Sequence, residues 1–158
     1  MDLLHGAPQM EPLAVAVHAV RSLGKLSAGQ SVVVFGCGPV GLLCMAVARA
    51  LGATQIIAVD KAIKRLEFAT QYAATDSFTP PEFLADESVR DYSARASNLF
   101  RGMFGLQQDG SGIDLVVDAS GAETCLQMGL LVAKNGATFV QVSLRPRSSG
   151  IASAWCWY

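Results

Sequence analysis

Histidine and formal charge are both scarce in this chain. Of 158 residues, two are histidine and 16% are charged, with 12 basic side chains against 13 acidic ones. The net charge of −1 supplies no basic footprint for a nucleic acid. No polybasic run marks a membrane surface. The opening MDLLHGAPQM has neither a positive n-region nor a long apolar core, so no secretory signal is expected. A membrane-spanning helix needs roughly 20 predominantly apolar residues. Only residues 31–48 come close, and their glycines read as a folded strand, turn and helix instead. The four cysteines, Cys37, Cys44, Cys125 and Cys156, form no CxxC pair. With His5 and His18 they make no metal quartet at a familiar spacing, so no metal site is expected in this chain. Free thiols point to a reducing compartment, and a cytoplasmic location is expected.

Core material, by contrast, is abundant. Apolar residues make up 51% of the chain. A domain of this size buries roughly 70% of its unfolded surface, enough for one proper core.

The pattern along the chain alternates. Leu13–Leu23 reads as a helix that begins near Pro12 and stops at Gly24, after an irregular first ten residues. Residues 32–35 (VVVF) form a fully apolar, mostly β-branched run typical of a buried parallel strand. Val40–Leu51 is a helix closed by Gly52. QIIAV at 55–59 is a second buried strand ending in Asp60. Lys61–Ala74 is a helix with Ile63, Leu66, Ala69 and Ala73 on one side. A short strand is expected over 76–79, and Pro80-Pro81 ends it. Helix then covers 86–104, in one or two pieces, and GLQQDGSG (105–112) is a loop. Ile113–Asp118 is a strand, Glu123–Val132 a helix, and ATFVQV (137–142) a strand. The alternation predicts an α/β fold with a doubly wound parallel sheet of the Rossmann type. A sixth strand is not legible. The reading divides the chain into an N-terminal segment with a linking helix (1–29), the sheet domain (30–142) and an atypical tail (143–158).

The glycine run gives this fold a task. Gly36-Cys37-Gly38-Pro39-Val40-Gly41 is a GxGxxG sequence that follows a strand and opens a helix. Gly36 permits the tight turn, Gly38 lets a pyrophosphate approach the backbone, and Gly41 lets the helix pack on the strand. Pro39 suits an early helix position because it lacks an N–H. Asp60 ends the second strand 19 residues after Gly41, where a carboxylate reaches the hydroxyls of an adenosine ribose. That carboxylate favours NAD over NADP, although Lys61, Lys64 and Arg65 soften the preference. Ala119, Ser120 and Gly121 follow the fourth strand, where small residues leave room for a nicotinamide ribose. Each feature also has a plain structural account: a tight βα turn for the glycines, a solvated strand end for Asp60 and an ordinary turn for 119–121. A methyltransferase also pairs a glycine turn with an acidic strand end, but the GxGxxG spacing and the downstream DASG favour a dinucleotide.

Four stretches, taken in order, carry a resemblance: EPLAVAVHA (11–19), VVVFGCGPVGLLCMAVARALGA (32–53), IIAVDKAIKRLEFA (56–69) and IDLVVDASGAE (113–123). Together they resemble the cofactor domain of the zinc-dependent medium-chain alcohol and polyol dehydrogenases. The resemblance covers about residues 9–142. It implies NAD-dependent oxidation of a secondary alcohol on a small polyol to a ketose, with a zinc ion polarising the substrate oxygen. It places Gly36, Gly38 and Gly41 at the pyrophosphate, Asp60 at the adenosine ribose and Arg65 near the adenine. It sets Glu11 near a zinc-bound water, although an acid in a first helical turn has its own dipolar reason. The zinc ligands of the family lie in a domain not recognisable here. His5 does not match them, and His18 is expected to be a packing residue. The tail after Val142 does not continue the family pattern, so a truncated or altered reading is expected there. A non-catalytic NAD-binding module or a partner subunit, served by the exposed sheet edge and the aromatic tail (Trp155, Trp157, Tyr158), is the alternative, and a homo-oligomer is compatible with the sequence.

Overall fold

The structure, a computed structural model, describes residues 7–106 and 112–143. Five strands, β1 (Ser31–Phe35), β2 (Gln55–Val59), β3 (Asp76–Phe78), β4 (Ile113–Asp118) and β5 (Ala133–Gln141), form one parallel sheet of order β3-β2-β1-β4-β5. The expected doubly wound Rossmann-type sheet is therefore present, with five strands among the described residues. The order reverses between β1 and β4, and that switch point is where such sheets bind ligands.

The strands read as continuous apolar runs because both faces are covered. Val32, Val34, Ile56, Ala58, Leu115 and Val117 point to one face, under α1 (Ala7–Val17), α2 (Pro39–Ala50) and α3 (Ile63–Tyr72). Val33, Phe35, Ile57, Val59, Ile113 and Val116 point to the other, under α4 (Val89–Phe104) and α5 (Glu123–Val132). Residue alternation assigns the two cores along β1 and β2 and over Leu115–Val117; Ile113 departs from it at the register shift between Ile113 and Leu115. Each fully buried Val, Ile or Phe side chain contributes about 1.5–3 kcal/mol. On the second face Phe78 meets the edge of Phe100, with centroids 5.2 Å apart.

The helix ends follow local chemistry. Gly52 and Ala53 donate to the carbonyls of Arg49 and Ala48, the paired bonds of a glycine-closed helix end. Ser88 caps α4 by accepting from Asp91 N–H at 3.2 Å, and α4 is one helix, not two. α5 has the expected ends.

Four expectations are corrected. The first helix begins at Ala7, not near Pro12, which lies inside it. Pro8 is the proline that occupies the first turn, where a missing N–H costs nothing. The helix then loosens to a π-helical stretch over His18–Leu23, with Gly24 N–H bonded to Ala19 O at 2.8 Å. His18 is exposed, so it packs against no core. Ile63 is 64% exposed at the first residue of α3, whereas Leu66, Ala69 and Ala73 are buried as expected. β5 starts at Ala133 instead of Ala137, because a register shift opposite Ile113–Leu115 absorbs the polar Lys134-Asn135-Gly136. His5, most of the 105–112 loop and the tail beyond Ser143 lie outside the described residues. Among the described residues no helix is long and apolar enough to cross a membrane.

Candidate functional site

The carboxyl end of β1 turns into α2 through Gly36–Gly38. Gly36 has φ +92°, a conformation open to glycine, and its N–H donates to Val59 O at 2.8 Å. A Cβ on Gly41 would lie 1.9 Å from Gly36 O, so the helix starts where no side chain fits. A Cβ on Gly38 would meet nothing within 4 Å. Gly38 therefore faces open space by geometry, and the first turn of α2 opens beside it. No side chain caps that turn, and Pro39 is its first residue. Leu42 N–H takes Gly38 O at 2.9 Å, which leaves the N–H groups of Val40 and Gly41 without helical partners. Such a helix end carries about half a positive charge and suits an anion.

Asp60 stands across from this turn. Its Oδ2 accepts from Cys37 N–H at 2.9 Å and its Oδ1 from Ala62 N–H at 2.8 Å. Arg65 Nη1 lies 3.8 Å from Oδ2, but that guanidinium side chain is 64% exposed, so the pair is screened and worth little. Burial, and then the negative charge of Asp60, push the Cys37 thiol up to about 12. Burial does the same to Cys44.

A third wall comes from the turn after β4. Ala119 N–H donates to Phe35 O at 2.8 Å, which draws this turn against the end of β1. A Cβ on Gly36 would sit 3.1 Å from the Ala119 carbonyl and from Ser120 N, so the two turns are in contact. Asp118, fully buried, holds the turn from within. Its Oδ1 accepts from Ser120 N–H at 2.9 Å, Ser120 Oγ at 2.7 Å and Gly121 N–H at 3.3 Å.

These walls enclose a cleft of about 530 Å³ at the switch point. Of the residues singled out in the sequence, Gly36, Gly38, Asp60, Lys61, Arg65, Ala119 and Ser120 line it. Pro39, Val40, Gly41 and Gly121 shape its turns without lining it. Glu11 is exposed on α1 and is not part of the cleft wall. Sequence reasoning missed Pro80, Tyr92, Thr124, Cys125 and Met128, which also line the wall. Tyr92 donates to Pro81 O at 2.8 Å, which holds the loop after β3 over α4. No local motif marks these residues: Pro80 and Tyr92 arrive through the crossover from β3 to β4, and Thr124, Cys125 and Met128 on the first turns of α5, after β4.

Among the described residues no group of three or more His, Cys, Asp and Glu side chains could hold a metal ion. The described donors do not fit a zinc site, since the buried Cys37 and Cys44 belong to no cluster of three such side chains.

A parallel sheet of order 3-2-1-4-5 with a glycine turn and an acidic β2 end at its switch point defines a Rossmann-type domain. The chain belongs to the zinc-binding dehydrogenase family, which matches residues 39–153. It is 48% identical over 132 residues to the D-xylulose reductase A of Aspergillus niger, covering 84% of this chain and 34% of that protein. It is 48% identical over 138 residues to the D-xylulose reductase A of Aspergillus oryzae, covering 87% and 35%. The chain thus spans about a third of the length of these relatives. Among solved structures, the 2R,3R-butanediol dehydrogenase of Bacillus subtilis is 31% identical with a TM-score of 0.68, over 90% of this chain and 36% of that one. A structure described as a zinc-binding dehydrogenase from Sinorhizobium meliloti 1021, bound to NADP, is 26% identical with a TM-score of 0.73, over 97% and 40%.

Proposed function

We propose that this chain is the NAD-binding part of a cytoplasmic polyol dehydrogenase that oxidises xylitol, or a related sugar alcohol, to a ketose. The observation that carries the reading is Asp60, held by Cys37 and Ala62 N–H groups opposite the Gly36–Gly38 turn. The relatives named D-xylulose reductase support the polyol.

In this reading the first turn of α2 receives the pyrophosphate, with Val40 and Gly41 N–H groups as donors and Gly38 as the gap that admits it. The outer lone pairs of Asp60 accept the hydroxyls of the adenosine ribose. The same carboxylate repels a 2′-phosphate, although Arg65, itself exposed, and Lys61 stand beside it in the cleft and soften that repulsion. Ala119 and Ser120 flank the nicotinamide half, which lies over the β4 side of the sheet. When bound, NAD supplies the acceptor for a hydride taken from the alcohol carbon.

Calorimetric titration of the purified chain tests the proposal. Saturable NAD binding, with NADP at least tenfold weaker, is expected. A folded chain that gives no heat with NAD sinks it. The chain alone is expected to be nearly inert on xylitol, since its described residues offer no zinc site, and ordinary turnover with added zinc would overturn that; co-purification of a stoichiometric partner would favour the non-catalytic NAD-binding module.

Self-association is proposed with it, without nucleic acid or membrane as partner. Leu99 and Met103 on α4 and Leu130 and Leu131 on α5 are exposed on two helices that cover the same sheet face. Sedimentation velocity checks this: a monomer at tens of micromolar removes that part of the reading.

A further inference from the structure

We propose that Asp118 is the positioning residue of the cleft's nicotinamide half, setting the Ala119–Gly121 turn against the Gly36 turn. The inference rests on the NAD-binding reading and adds a residue to it.

Asp118 does not itself line the cleft; it holds Ser120, which does, from behind. It ends β4 with its side chain fully buried, and two things about that burial are unusual. One oxygen carries three bonds: Oδ1 accepts from the N–H of Ser120, the hydroxyl of Ser120 and the N–H of Gly121. The other, Oδ2, is buried with no hydrogen-bond partner among the described residues. An apolar residue at this strand end would avoid burying that bare oxygen. The three bonds to Oδ1 are what the carboxylate provides in exchange, and all three fall on one turn.

That turn matters because it is not free to settle elsewhere. Its backbone already abuts Gly36, where a Cβ would lie 3.1 Å from Ala119 and Ser120 atoms. Ala119 N–H is bonded to Phe35 O, and Val142 N–H donates to Asp118 O at 2.9 Å, so β1, β4 and β5 all meet at this residue. Ser120 lines the cleft while its hydroxyl points back to Asp118. The carboxylate thus fixes the wall that a nicotinamide ribose faces, and leaves the Asp60 wall untouched. A turn held in place before the ligand arrives spares the ligand the cost of ordering it.

The test compares three variants of the chain by calorimetry with NAD and with AMP, which occupies only the Asp60 half. Asp118→Ala is expected to weaken NAD about tenfold and AMP less than twofold. Asp118→Asn keeps an oxygen to accept the three bonds and is expected to stay within about threefold of the parent for NAD. Ser120→Ala, an exposed position that leaves the core intact, removes one of the three bonds and is expected to fall between them. Rescue by asparagine together with spared AMP binding is the signature of positioning. Equal losses for NAD and AMP in Asp118→Ala, or an asparagine variant as weak as the alanine one, overturn the inference. Should Asp118→Ala not fold, unchanged NAD affinity in Ser120→Ala overturns it as well. A parent chain that binds neither ligand overturns the NAD-binding reading and this inference with it. A parent that binds both, with all variants alike, overturns only this one.

Discussion

The backbone N–H of Cys37 donates to Oδ2 of Asp60 across 2.9 Å and ties the glycine turn of β1 to the end of β2. The carboxylate therefore has two tasks, one inside the fold and one toward a ligand. Replacing it separates them. Asp60→Asn keeps one acceptor but places an amide N–H₂ against the Cys37 or Ala62 N–H. The variant is expected to lose about 1–2 kcal/mol of stability by urea denaturation, the ordinary cost of an unmet buried donor. It is also expected to bind NADP about tenfold better relative to NAD, because the charge that repels a 2′-phosphate is gone. Calorimetry with both cofactors reads the ratio, and an unchanged ratio removes Asp60 from cofactor selection.

The glycines at 38 and 41 separate in the opposite sense. A methyl group on Gly41 collides with Gly36 O, a backbone atom that cannot move without the turn. Gly41→Ala is expected to cost about 3 kcal/mol or more, seen as a large drop in Tm by circular dichroism. A methyl group on Gly38 meets no protein atom. Gly38→Ala is expected to leave Tm within a few degrees and to weaken NAD at least tenfold, because the methyl fills the space a pyrophosphate takes. If the two variants lose stability equally, the open space at Gly38 is not the ligand's.

The strands at the sheet centre were legible because each is apolar throughout, which only a sheet covered on both faces allows. Gly36, Gly38, Gly41 and Asp60 were legible because a short local spacing places them on one turn and one strand end. Pro80 and Tyr92 were not, since they reach the cleft through the β3–β4 crossover, and Cys125 was not, since it comes from α5 after β4; no neighbouring residue encodes either geometry. The start of α1 was missed because two prolines, Pro8 and Pro12, compete for the first turn, and residue type alone does not choose between them. The bulge in β5 hid the first part of that strand behind a polar, glycine-containing stretch. The ties of Asp118 are local, yet only its burial singles it out from an ordinary strand-end acid.

Two of the thiols should be silent. Cys37 and Cys44 are buried, and burial raises both to about 12; for Cys37 the charge of Asp60 adds to it. At pH 8 about one thiol in ten thousand is then ionised at either site, and the thiolate is the reactive form. Iodoacetamide at pH 8 followed by peptide mass spectrometry is expected to leave both unmodified in the native chain. Both should label after unfolding in urea. Rapid labelling of Cys37 in the folded chain would show that the glycine turn opens.

At the other end of the sheet Asp114 controls how the chain meets acid. Burial raises its pKa, but the bonds it accepts from Lys134 Nζ and from the N–H and hydroxyl of Ser31 outweigh burial and hold it below the ordinary carboxylate value. A carboxylate depressed in the folded state contributes stability that is present above its unfolded value, near 3.9, and is lost as pH falls through the folded value. The pair also fastens the first residue of β1 to β4 and to the bulged start of β5, where Ile113 stands opposite Ala133. Asp114→Asn is expected to cost about 2 kcal/mol at pH 7, in the range for hydrogen bonds to a charged group. The gap between variant and parent should stay level from pH 7 to pH 5 and narrow below pH 4, as the parent's carboxylate takes up its proton. Urea midpoints at pH 7, 5 and 3 measure it. A gap that stays constant down to pH 3 would mean that the asparagine loses packing and not charge, and the ion pair with Lys134 would then contribute nothing to the fold.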